Sequence, residues 1–338
     1  MNPDKTLWWK YSDNKVLNLC GYADSGYYLS IANDGYTINK SNNQISSNYS
    51  FLPLYPILIY LLGFIFHSNY LAAIAISNIA LFVSCYFLFY FTKNFFDENI
   101  AYRSIGLLLL YPTSYLLSGV FSESLFLMFG VLTFYFANKQ QWVQSSLSAA
   151  LMSVTRPFGL VVILPLLIFY LQKNGFKKLS RVLWFSLIPF GILIYIFYCY
   201  QTTGDPLIYF HHKKEMWHVT FSSPLATIRW GLLESPGLDF QFTTIFTIIA
   251  LLISLSFLFK KKTVSLAIWS LLLILIPLTY GNVNVVCMFR YILVAFPLLL
   301  FFSIRFSHKL TYIIVSLIFF TLHLFMMWNF ALGNPFTA

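Results

Sequence analysis

The sequence predicts an all-α protein with many membrane-spanning segments. Hydrophobic residues make up 59% of its 338 positions and charged residues only 9%, and the mean hydropathy is +0.72. Soluble domains average roughly 45–50% apolar and about 25% charged residues. The formal charge of +10 comes mostly from lysines and arginines in short loops between apolar runs, where they orient membrane helices. We therefore expect a lipid bilayer around the chain and no nucleic-acid partner.

Apolar runs follow one another from residue 51 to residue 332. The runs are 51–66, 70–91, 105–121, 125–137, 142–156, 159–171, 182–200, 243–259, 263–280, 291–304 and 310–332. Several are shorter than the roughly 20 residues that a helix needs to cross a hydrocarbon core about 30 Å thick. Short or broken membrane helices are tolerated where protein or a water-filled cavity satisfies their exposed backbone. The runs therefore predict one helical bundle, formed by residues 1–338, that is dented by a cavity.

Basic residues in the short loops set the predicted orientation. More than half of the 21 lysines and arginines fall on one face, which we assign to the cytoplasm. They are Lys93, Arg103, Lys139, Lys173, Lys177, Lys178, Arg181, Lys260, Lys261, Lys262, Arg305 and Lys309. This orientation requires 51–66 to be a re-entrant or interfacial helix, and it requires 142–171 to cross twice with a break at 155–159.

The polar segments then collect on the non-cytoplasmic face. These segments are the first loop, 1–50, a second loop, 201–242, and the loop 281–290, together with Glu123 and Arg156. If 51–66 spanned fully and 146–171 crossed once, Glu123 would instead face the cytoplasm.

The start of the chain conflicts with this topology. Residues 1–50 carry four lysines and no apolar run that could act as a signal anchor. We expect either a first apolar helix of ~20 residues upstream of the given start, or translocation of the tail by the helices that follow. A cysteine placed at position 42 is expected to react with an impermeant thiol reagent from outside intact cells, and reaction only after permeabilisation would invert this topology.

The main candidate for a reaction centre precedes the apolar runs. Residues 21–56 concentrate aromatic side chains and carry Asp24 and Asp34. A polar segment that opens onto membrane helices is where we expect chemistry at the bilayer surface. Asp-Ser-Gly at Asp24 also suits a turn or a helix N-cap, and Asp-Gly at Asp34 suits a turn. Both interpretations stay open at this point.

The same segment resembles the start of the PIG-V type mannosyltransferases. It reads DSGYYLSIA at 24–32, GY at 35–36 and FLPLYP at 51–56, against the family pattern WDSxxYxxIAxxGY…FFPLYP. One departure is Ala23, which stands in place of the usual tryptophan, with Tyr22 before it. A second is that the helix that usually precedes the loop is not seen.

Further segments fit the family in the same order, so the resemblance covers about residues 22–304. They are SESLF at 122–126, TRPFG at 155–159, TGDPL at 203–207, and Arg290-Tyr291 followed by Phe296-Pro297. The family belongs to the GT-C glycosyltransferases, which are multi-helix membrane enzymes. They take a sugar from a polyprenyl-phosphate donor, usually dolichyl phosphate mannose, and add it to a lumenal or periplasmic acceptor. The resemblance implies a GT-C type bundle whose partners are such a donor and a glycolipid or glycan acceptor.

The chemistry of that reaction fits the residues. A sugar hydroxyl is a poor nucleophile, so a carboxylate that accepts its proton speeds attack on the anomeric carbon, and Asp24 is the predicted base of an inverting transfer. The leaving group is an anionic phosphate, which a buried cation stabilises. Arg290 and Arg156 are the candidates. The other predicted substrate-binding residues are Tyr28, Glu123, Asp205 and Tyr291.

Each assignment has a structural alternative. Glu123 suits the first turn of a helix, where the dipole favours a carboxylate. Arg156 and Arg290 suit internal ion pairs with Glu123 or Asp24, and Asp205 before Pro206 suits a turn. The segment 211–217, which contains His211, His212, Lys213 and Lys214, could bind lipid headgroups or the acceptor, but it also suits a solvated amphipathic surface helix, which is the favoured interpretation. No Asp-x-Asp pair occurs in the first loop and the four cysteines lack metal-ligand spacing, so we expect neither a metal nor a cofactor.

The predicted function is sugar transfer by a multi-pass protein whose active site faces away from the cytoplasm. The catalytic unit is the first loop with the re-entrant helix, 22–56. The membrane would be the plasma membrane in a bacterium and the endoplasmic reticulum in a eukaryote. A transporter or flippase of lipid-linked sugars is the main rival, although no inverted repeat is apparent. A non-catalytic subunit that binds a lipid-linked sugar would keep the aromatic loop without needing the carboxylate.

Overall fold

The computed structural model describes residues 10–41 and 44–333. It is a bundle of α-helices preceded by a mixed segment that folds onto one end. Residues 1–9 and 42–43 of the predicted first loop, including the probe position 42, lie outside the described residues, as do residues 334–338. The predicted all-α membrane bundle is confirmed, with a short hairpin as its only sheet among the described residues.

Most of the helices overlap the predicted apolar runs. In chain order they are α1 Lys15–Asn18, α2 Ser25–Asp34, α3 Leu54–Phe66, α4 Asn69–Phe95, α5 Glu98–Leu109, α6 Glu123–Asn138, α7 Trp142–Ser153, α8 Ile163–Asn174, α9 Leu187–Thr203, α10 Ile208–Trp217, α11 Pro224–Arg229, α12 Leu238–Ser256, α13 Val264–Leu278, α14 Met288–Leu293, α15 Phe296–Arg305 and α16 Lys309–Ala331. Short 3-10 helices cover Ser114–Leu117, Pro157–Val162, Leu179–Ser186 and Asn282–Val285, and a π-helical turn covers Trp230–Glu234.

Within the described residues, five helical segments are long and apolar enough to cross a membrane. They are Asn69–Phe95, Pro157–Asn174, Leu179–Thr203, Leu238–Ser256 and Lys309–Ala331. Shorter apolar helices, α3, α6, α13 and α15, lie among them. The chain is therefore an integral membrane protein in which full-length spans are mixed with short helices, as the run lengths predicted.

Helix α3 has the properties of a helix that does not cross the bilayer alone. Its 13 residues rise only about 20 Å, against a hydrocarbon core of about 30 Å. Pro53 precedes it, a position where the missing N–H of proline costs nothing. Its outward side chains, among them Leu61, Phe64 and Ile65, are exposed. This geometry fits the re-entrant or interfacial helix predicted for 51–66.

The predicted run 105–121 is not one helix. Helix α5 ends at Leu109, and the chain continues through a separate 3-10 turn at Ser114–Leu117. Pro112 disfavours helical geometry in Tyr111, the residue before it. The break turns residues 118–122 toward the start of α6, where Glu123 lies.

The predicted break at 155–159 is present between α7 and the 3-10 helix Pro157–Val162. Arg156 lies in the gap with extended backbone angles, φ −148° and ψ 141°. A Cβ on Gly159 would lie 2.6 Å from the backbone carbonyl carbon of Met152 and the backbone nitrogen of Ser153. Only glycine allows this approach, which folds the segment carrying Arg156 back onto the end of α7.

The segment before α3 is fastened to the bundle by tyrosines. It contains α2 and a hairpin of β1 Ile38–Ser41 and β2 Gln44–Ser47, in which Ile38 lies opposite Ser47. The hydroxyl of Tyr195 on α9 donates to the Tyr49 carbonyl at 2.6 Å. The hydroxyl of Tyr70 on α4 donates to the Leu17 carbonyl at 2.6 Å. These bonds hold the segment that contains α2 at one end of the helical bundle.

Candidate functional site

Asp24 lies at the start of α2 and points into the protein. It occupies the N-cap position, yet its side chain makes no capping hydrogen bond. Ser25 takes part in the turn instead, accepting from the Tyr22 N–H at 3.0 Å and donating to the Val120 carbonyl at 2.9 Å. The Asp24 carboxylate is left for another partner, so the capping interpretation does not describe its contacts.

The partner of Asp24 is Arg290. Nη1 of Arg290 lies 2.7 Å from Oδ2 of Asp24, and the two side chains are 9% and 23% exposed. Asp24 Oδ1 makes no hydrogen bond within the described residues. One carboxylate oxygen is therefore held by a buried guanidinium while the other remains able to accept a proton.

Glu123 joins two arginines behind this pair. Its side chain is completely buried, and its Oε1 accepts from Nη2 of Arg156 and from Nε of Arg290. Asp24, Arg290, Glu123 and Arg156 thus form a continuous chain of alternating charges whose formal sum is zero. We call these four side chains the ion-pair quartet. A charge cluster this deeply buried is stable only when each member is paired.

Local structure explains how the quartet assembles. Glu123 is the first residue of α6, where the positive end of the helix dipole favours a carboxylate. Nε of Arg156 donates to the Ser122 hydroxyl at 3.0 Å, and that hydroxyl lies 2.8 Å from the hydroxyl of Tyr28. Burial raises the pKa of Tyr28 to about 12, so its phenol stays protonated at neutral pH. Tyr28 therefore acts as a hydrogen-bonding group and not as a base.

The quartet borders a polar cavity of about 80 Å³. Its walls come from the first loop, the break before the 3-10 helix Pro157–Val162, α10 and α14. The lining residues are Asp24, Tyr28, Ser50, Phe51, Leu52, Thr155, Arg156, Pro157, Phe158, Tyr209, Lys213, Arg290 and Tyr291. Glu123 does not line the cavity and lies behind the two arginines. In the part of the chain that the structure describes, Nη2 of Arg290 and Oε2 of Glu123 are buried without a hydrogen-bond partner.

An apolar groove of about 610 Å³ lies directly beside the cavity. Leu52 and Thr155 line the cavity, whereas Leu54 and Val154 line the groove. The Leu54 N–H donates to the Val154 carbonyl at 3.2 Å, so two chain segments joined by this bond separate the two spaces. The far side of the groove is formed by α9 residues such as Ile194. A polar pocket and an apolar groove thus share one wall.

The structure brings most of the predicted site residues together. Asp24, Tyr28, Arg156, Arg290 and Tyr291 line the cavity, and Glu123 pairs with both arginines. The cavity was not predicted to include α10. Tyr209 was not predicted. Lys213 belongs to the segment for which a solvated surface helix was favoured over ligand binding, because a run rich in lysine and histidine is typical of such a helix.

Asp205 lies apart from the cavity lining. Its Oδ1 accepts from the Leu207 N–H at 2.9 Å, and its Oδ2 lies 2.6 Å from Nδ1 of His211. Its pKa is lowered even though partial burial raises it, because the hydrogen bonds from His211 and Leu207 favour the carboxylate. These contacts shape the turn that starts α10. A direct contact of Asp205 with substrate stays a prediction.

Among residues 10–41 and 44–333, no group of three histidine, cysteine, aspartate or glutamate side chains is arranged to hold a metal ion. We therefore assign no metal ligands. The polar groups at the cavity include the Asp24 carboxylate, the cationic side chains of Arg156, Lys213 and Arg290, and the hydroxyls of Tyr28, Tyr209, Tyr291, Ser50 and Thr155.

Comparison with known proteins identifies the fold. No protein-family model and no curated protein sequence matches this chain. The crystal structure of ArnT from Cupriavidus metallidurans in the apo state is similar, with a TM-score of 0.57 and 10% identity over 85% of this chain and 55% of ArnT. ArnT bound to undecaprenyl phosphate gives a TM-score of 0.55 and 12% identity over 84% and 56%. The chain spans about half the length of ArnT.

A weaker similarity links the chain to an archaeal protein. AglB, the oligosaccharyltransferase of Archaeoglobus fulgidus in complex with an inhibitory peptide and a dolichol-phosphate, gives a TM-score of 0.47 and 13% identity over 94% of this chain and 52% of AglB. That score is too low to argue from. The ArnT match establishes the fold alone, which is the predicted GT-C type bundle.

Proposed function

We propose that this chain is a glycosyltransferase that moves a hexose from a polyprenyl-phosphate donor to a lipid-linked glycan or glycolipid acceptor. The observation that carries the proposal is the position of the Asp24 carboxylate, which pairs with Arg290 through one oxygen only. It lies in a cationic cavity that adjoins an apolar groove. A donor of this class has an anionic head and a long apolar tail, and the two adjoining spaces suit those two parts. The binding of undecaprenyl phosphate by ArnT, which shares the fold, supports the same class of donor.

The proposed sugar is mannose. Its support is the order of the DSGYYLSIA, SESLF, TRPFG, TGDPL and Arg-Tyr segments, which resembles the PIG-V type mannosyltransferases. Residues from these segments, Asp24, Glu123, Arg156 and Arg290, belong to the quartet. The acceptor is proposed on the same ground.

In the proposed reaction, Asp24 is the general base. Oδ2 is held by Arg290, so Oδ1 accepts the proton of the acceptor hydroxyl as its oxygen attacks the anomeric carbon. The bond between that carbon and the phosphate oxygen breaks, and the phosphate leaves with the electron pair. Attack opposite the leaving group inverts the anomeric configuration. The proton on Asp24 then passes to the phosphate or to water.

The remaining site residues are proposed either to position the charged groups or to contact the substrates. Glu123 is separated from the cavity by the arginines, so we propose that it positions Arg156 and Arg290 and does not touch substrate. Tyr28 is fixed to Arg156 through the Ser122 hydroxyl. Tyr291 packs edge-on against Phe158 with ring centroids 5.6 Å apart. Its hydroxyl is proposed to contact the donor. Asp205 is proposed to support the donor or acceptor through α10.

The test is a transfer assay with purified protein in liposomes. Polyprenyl-phosphate mannose with a labelled sugar is supplied with a lipid extract, and GDP-mannose with the same label is the matched control. We expect the label to enter a new glycolipid from the lipid-linked donor only. Label that crosses the bilayer in unchanged donor would support the transporter instead, and label that stays in the donor without movement would support a non-catalytic binding protein.

The active site is proposed to face away from the cytoplasm, which gives a testable topology. In a cysteine-free background, Lys214→Cys on the exposed face of α10 is expected to react with an impermeant thiol reagent in intact cells. Lys261→Cys, in the exposed basic loop between α12 and α13, is expected to react only after permeabilisation. The reverse labelling pattern would place the cavity on the cytoplasmic side.

A further inference from the structure

The charged side chains around the cavity differ in whether they form ion pairs. Asp24 and Glu123 each pair with a guanidinium, and Arg156 and Arg290 each pair with a carboxylate. Arg290 uses Nη1 for Asp24 and Nε for Glu123, and within the described residues its Nη2 nitrogen has no hydrogen-bond partner. The quartet is formally neutral, so it offers an incoming anion little net attraction.

Lys213 adds the remaining charge of the cavity. It projects from α10 into the lining and is half-buried. Within the described residues it makes no ion pair with a carboxylate. The nearest acidic residue along the chain is Glu215, two positions away, and residues so spaced do not face each other on a helix. The cavity lining together with Glu123 therefore carries a net formal charge of one positive unit.

Aromatic rings hold the ammonium group of Lys213 in place. Its Nζ lies 5.4 Å from the ring centroid of Tyr209 and 5.9 Å from that of Tyr280. Cation–π contacts of this kind orient an ammonium group without neutralising it. The neighbouring Lys214 is exposed and makes no such contact in the described structure. Two adjacent lysines of one helix thus differ in environment while carrying the same charge.

Helix α10 is tied to the segment that carries Asp24. The ring of Trp217 lies 5.8 Å from the rings of both Tyr27 and Phe51. The Ser50 hydroxyl donates to the Tyr209 carbonyl at 3.3 Å. The position of Lys213 is therefore fixed relative to the same loop that fixes the base.

We propose that Lys213 binds the phosphate of the donor, while Arg156 and Arg290 remain engaged with the two carboxylates. This assignment rests on the proposed function and names the phosphate ligand of that site. A phosphodiester carries one negative charge, which neutralises the one positive charge left by the quartet and Lys213. When the bond from the anomeric carbon to the phosphate oxygen breaks, the electron pair adds negative charge to the phosphate. The acceptor proton goes to Asp24, and Lys213 stabilises the added charge on the leaving group.

The test compares two lysines of one helix. Farnesyl phosphate is the binding probe, and farnesol, which has the same chain without the phosphate, is the ligand control. Lys213→Ala and the nearly isosteric Lys213→Gln are expected to weaken farnesyl phosphate binding by roughly 10- to 100-fold, because a hydrogen bond to a charged group is lost. The matched variant Lys214→Ala is expected to bind within about twofold of wild type, since surface charges contribute little. Farnesol affinity and the melting temperature are expected to be the same in all variants.

The outcomes separate this proposal from the one on which it rests. If Lys213→Gln folds and binds farnesyl phosphate as tightly as Lys214→Ala, the assignment of Lys213 is overturned while the transferase proposal stands. If farnesol affinity falls together with farnesyl phosphate affinity, Lys213 shapes the site without binding phosphate, which also overturns the assignment. If the wild-type protein binds no farnesyl phosphate and transfers no sugar, both proposals fail.

Discussion

Replacing Asp24 by asparagine is expected to slow sugar transfer by about 10²–10⁴-fold, the usual contribution of a general base. Asparagine has the same shape and its carbonyl oxygen can still accept from Arg290, but it cannot take up the acceptor proton. Arg290 also keeps its contact with Glu123, so the quartet retains its geometry. The loss should therefore appear in kcat, and donor affinity should not fall, since the variant removes a negative charge from the cavity. Initial rates over a range of donor concentrations measure both quantities.

Asp34→Asn provides the matched control for this variant. Asp34 is the last residue of α2, the helix that begins directly after Asp24, and its side chain is exposed and outside the cavity. We expect this variant to transfer sugar at close to the wild-type rate. If Asp24→Asn also worked within a few-fold of wild type, Asp24 would be only an ion-pair partner of Arg290.

Replacing Glu123 by glutamine is expected to destabilise the folded protein by about 3–5 kcal/mol. Removing one partner of a buried ion pair leaves the other charge uncompensated. The Glu123 carboxylate pairs with both Arg156 and Arg290. Within the described residues, only Arg290 also pairs with a second carboxylate, that of Asp24. Arg156 would keep neutral acceptors, the Ser122 hydroxyl and the glutamine amide oxygen, but no carboxylate to compensate its charge. Thermal unfolding in detergent should show a clearly lowered melting temperature.

Two variants test the reason for that loss. Glu98→Gln removes an exposed ion pair with Lys93, whose atoms are 3.0 Å apart, and should cost at most about 1 kcal/mol. The double variant Glu123→Gln/Arg156→Gln removes a buried cation together with its anion and should recover part of the lost stability. If the Glu123→Gln and Glu98→Gln proteins had the same melting temperature, the buried carboxylate would contribute no more to stability than a surface charge.

The class of protein and the approximate helix positions were predictable from the sequence. Apolar runs report burial in lipid or protein whatever surrounds them, and the break at Arg156 follows from local backbone chemistry at Pro157 and Gly159. The hairpin β1–β2 was not predicted. Strands of four residues carry too little pattern, and their pairing depends on what they pack against.

Most residues of the site were also predictable from the sequence, whereas the pattern of ion pairs between them was not. Ordered motifs indicated Asp24, Glu123, Arg156 and Arg290, and the ion-pair alternatives named their possible partners. That one oxygen of Glu123 serves both arginines depends on how α6, α14 and the break before Pro157 pack, which no local pattern encodes. A binding role for Lys213 was not favoured for the same reason, since its partner rings on Tyr209 and Tyr280 are brought together only in the fold.

The most direct test of sugar transfer from a polyprenyl-phosphate donor is the product balance in one reaction. Purified wild-type protein is given a donor labelled in both the sugar and the lipid, together with acceptor lipids, and the two products are quantified. The account predicts that each sugar entering the glycolipid releases one polyprenyl phosphate, with inverted anomeric configuration, and that Asp24→Asn suppresses both products equally. A wild-type protein that folds and binds the donor yet leaves its sugar–phosphate bond intact in the presence of acceptor would contradict the account.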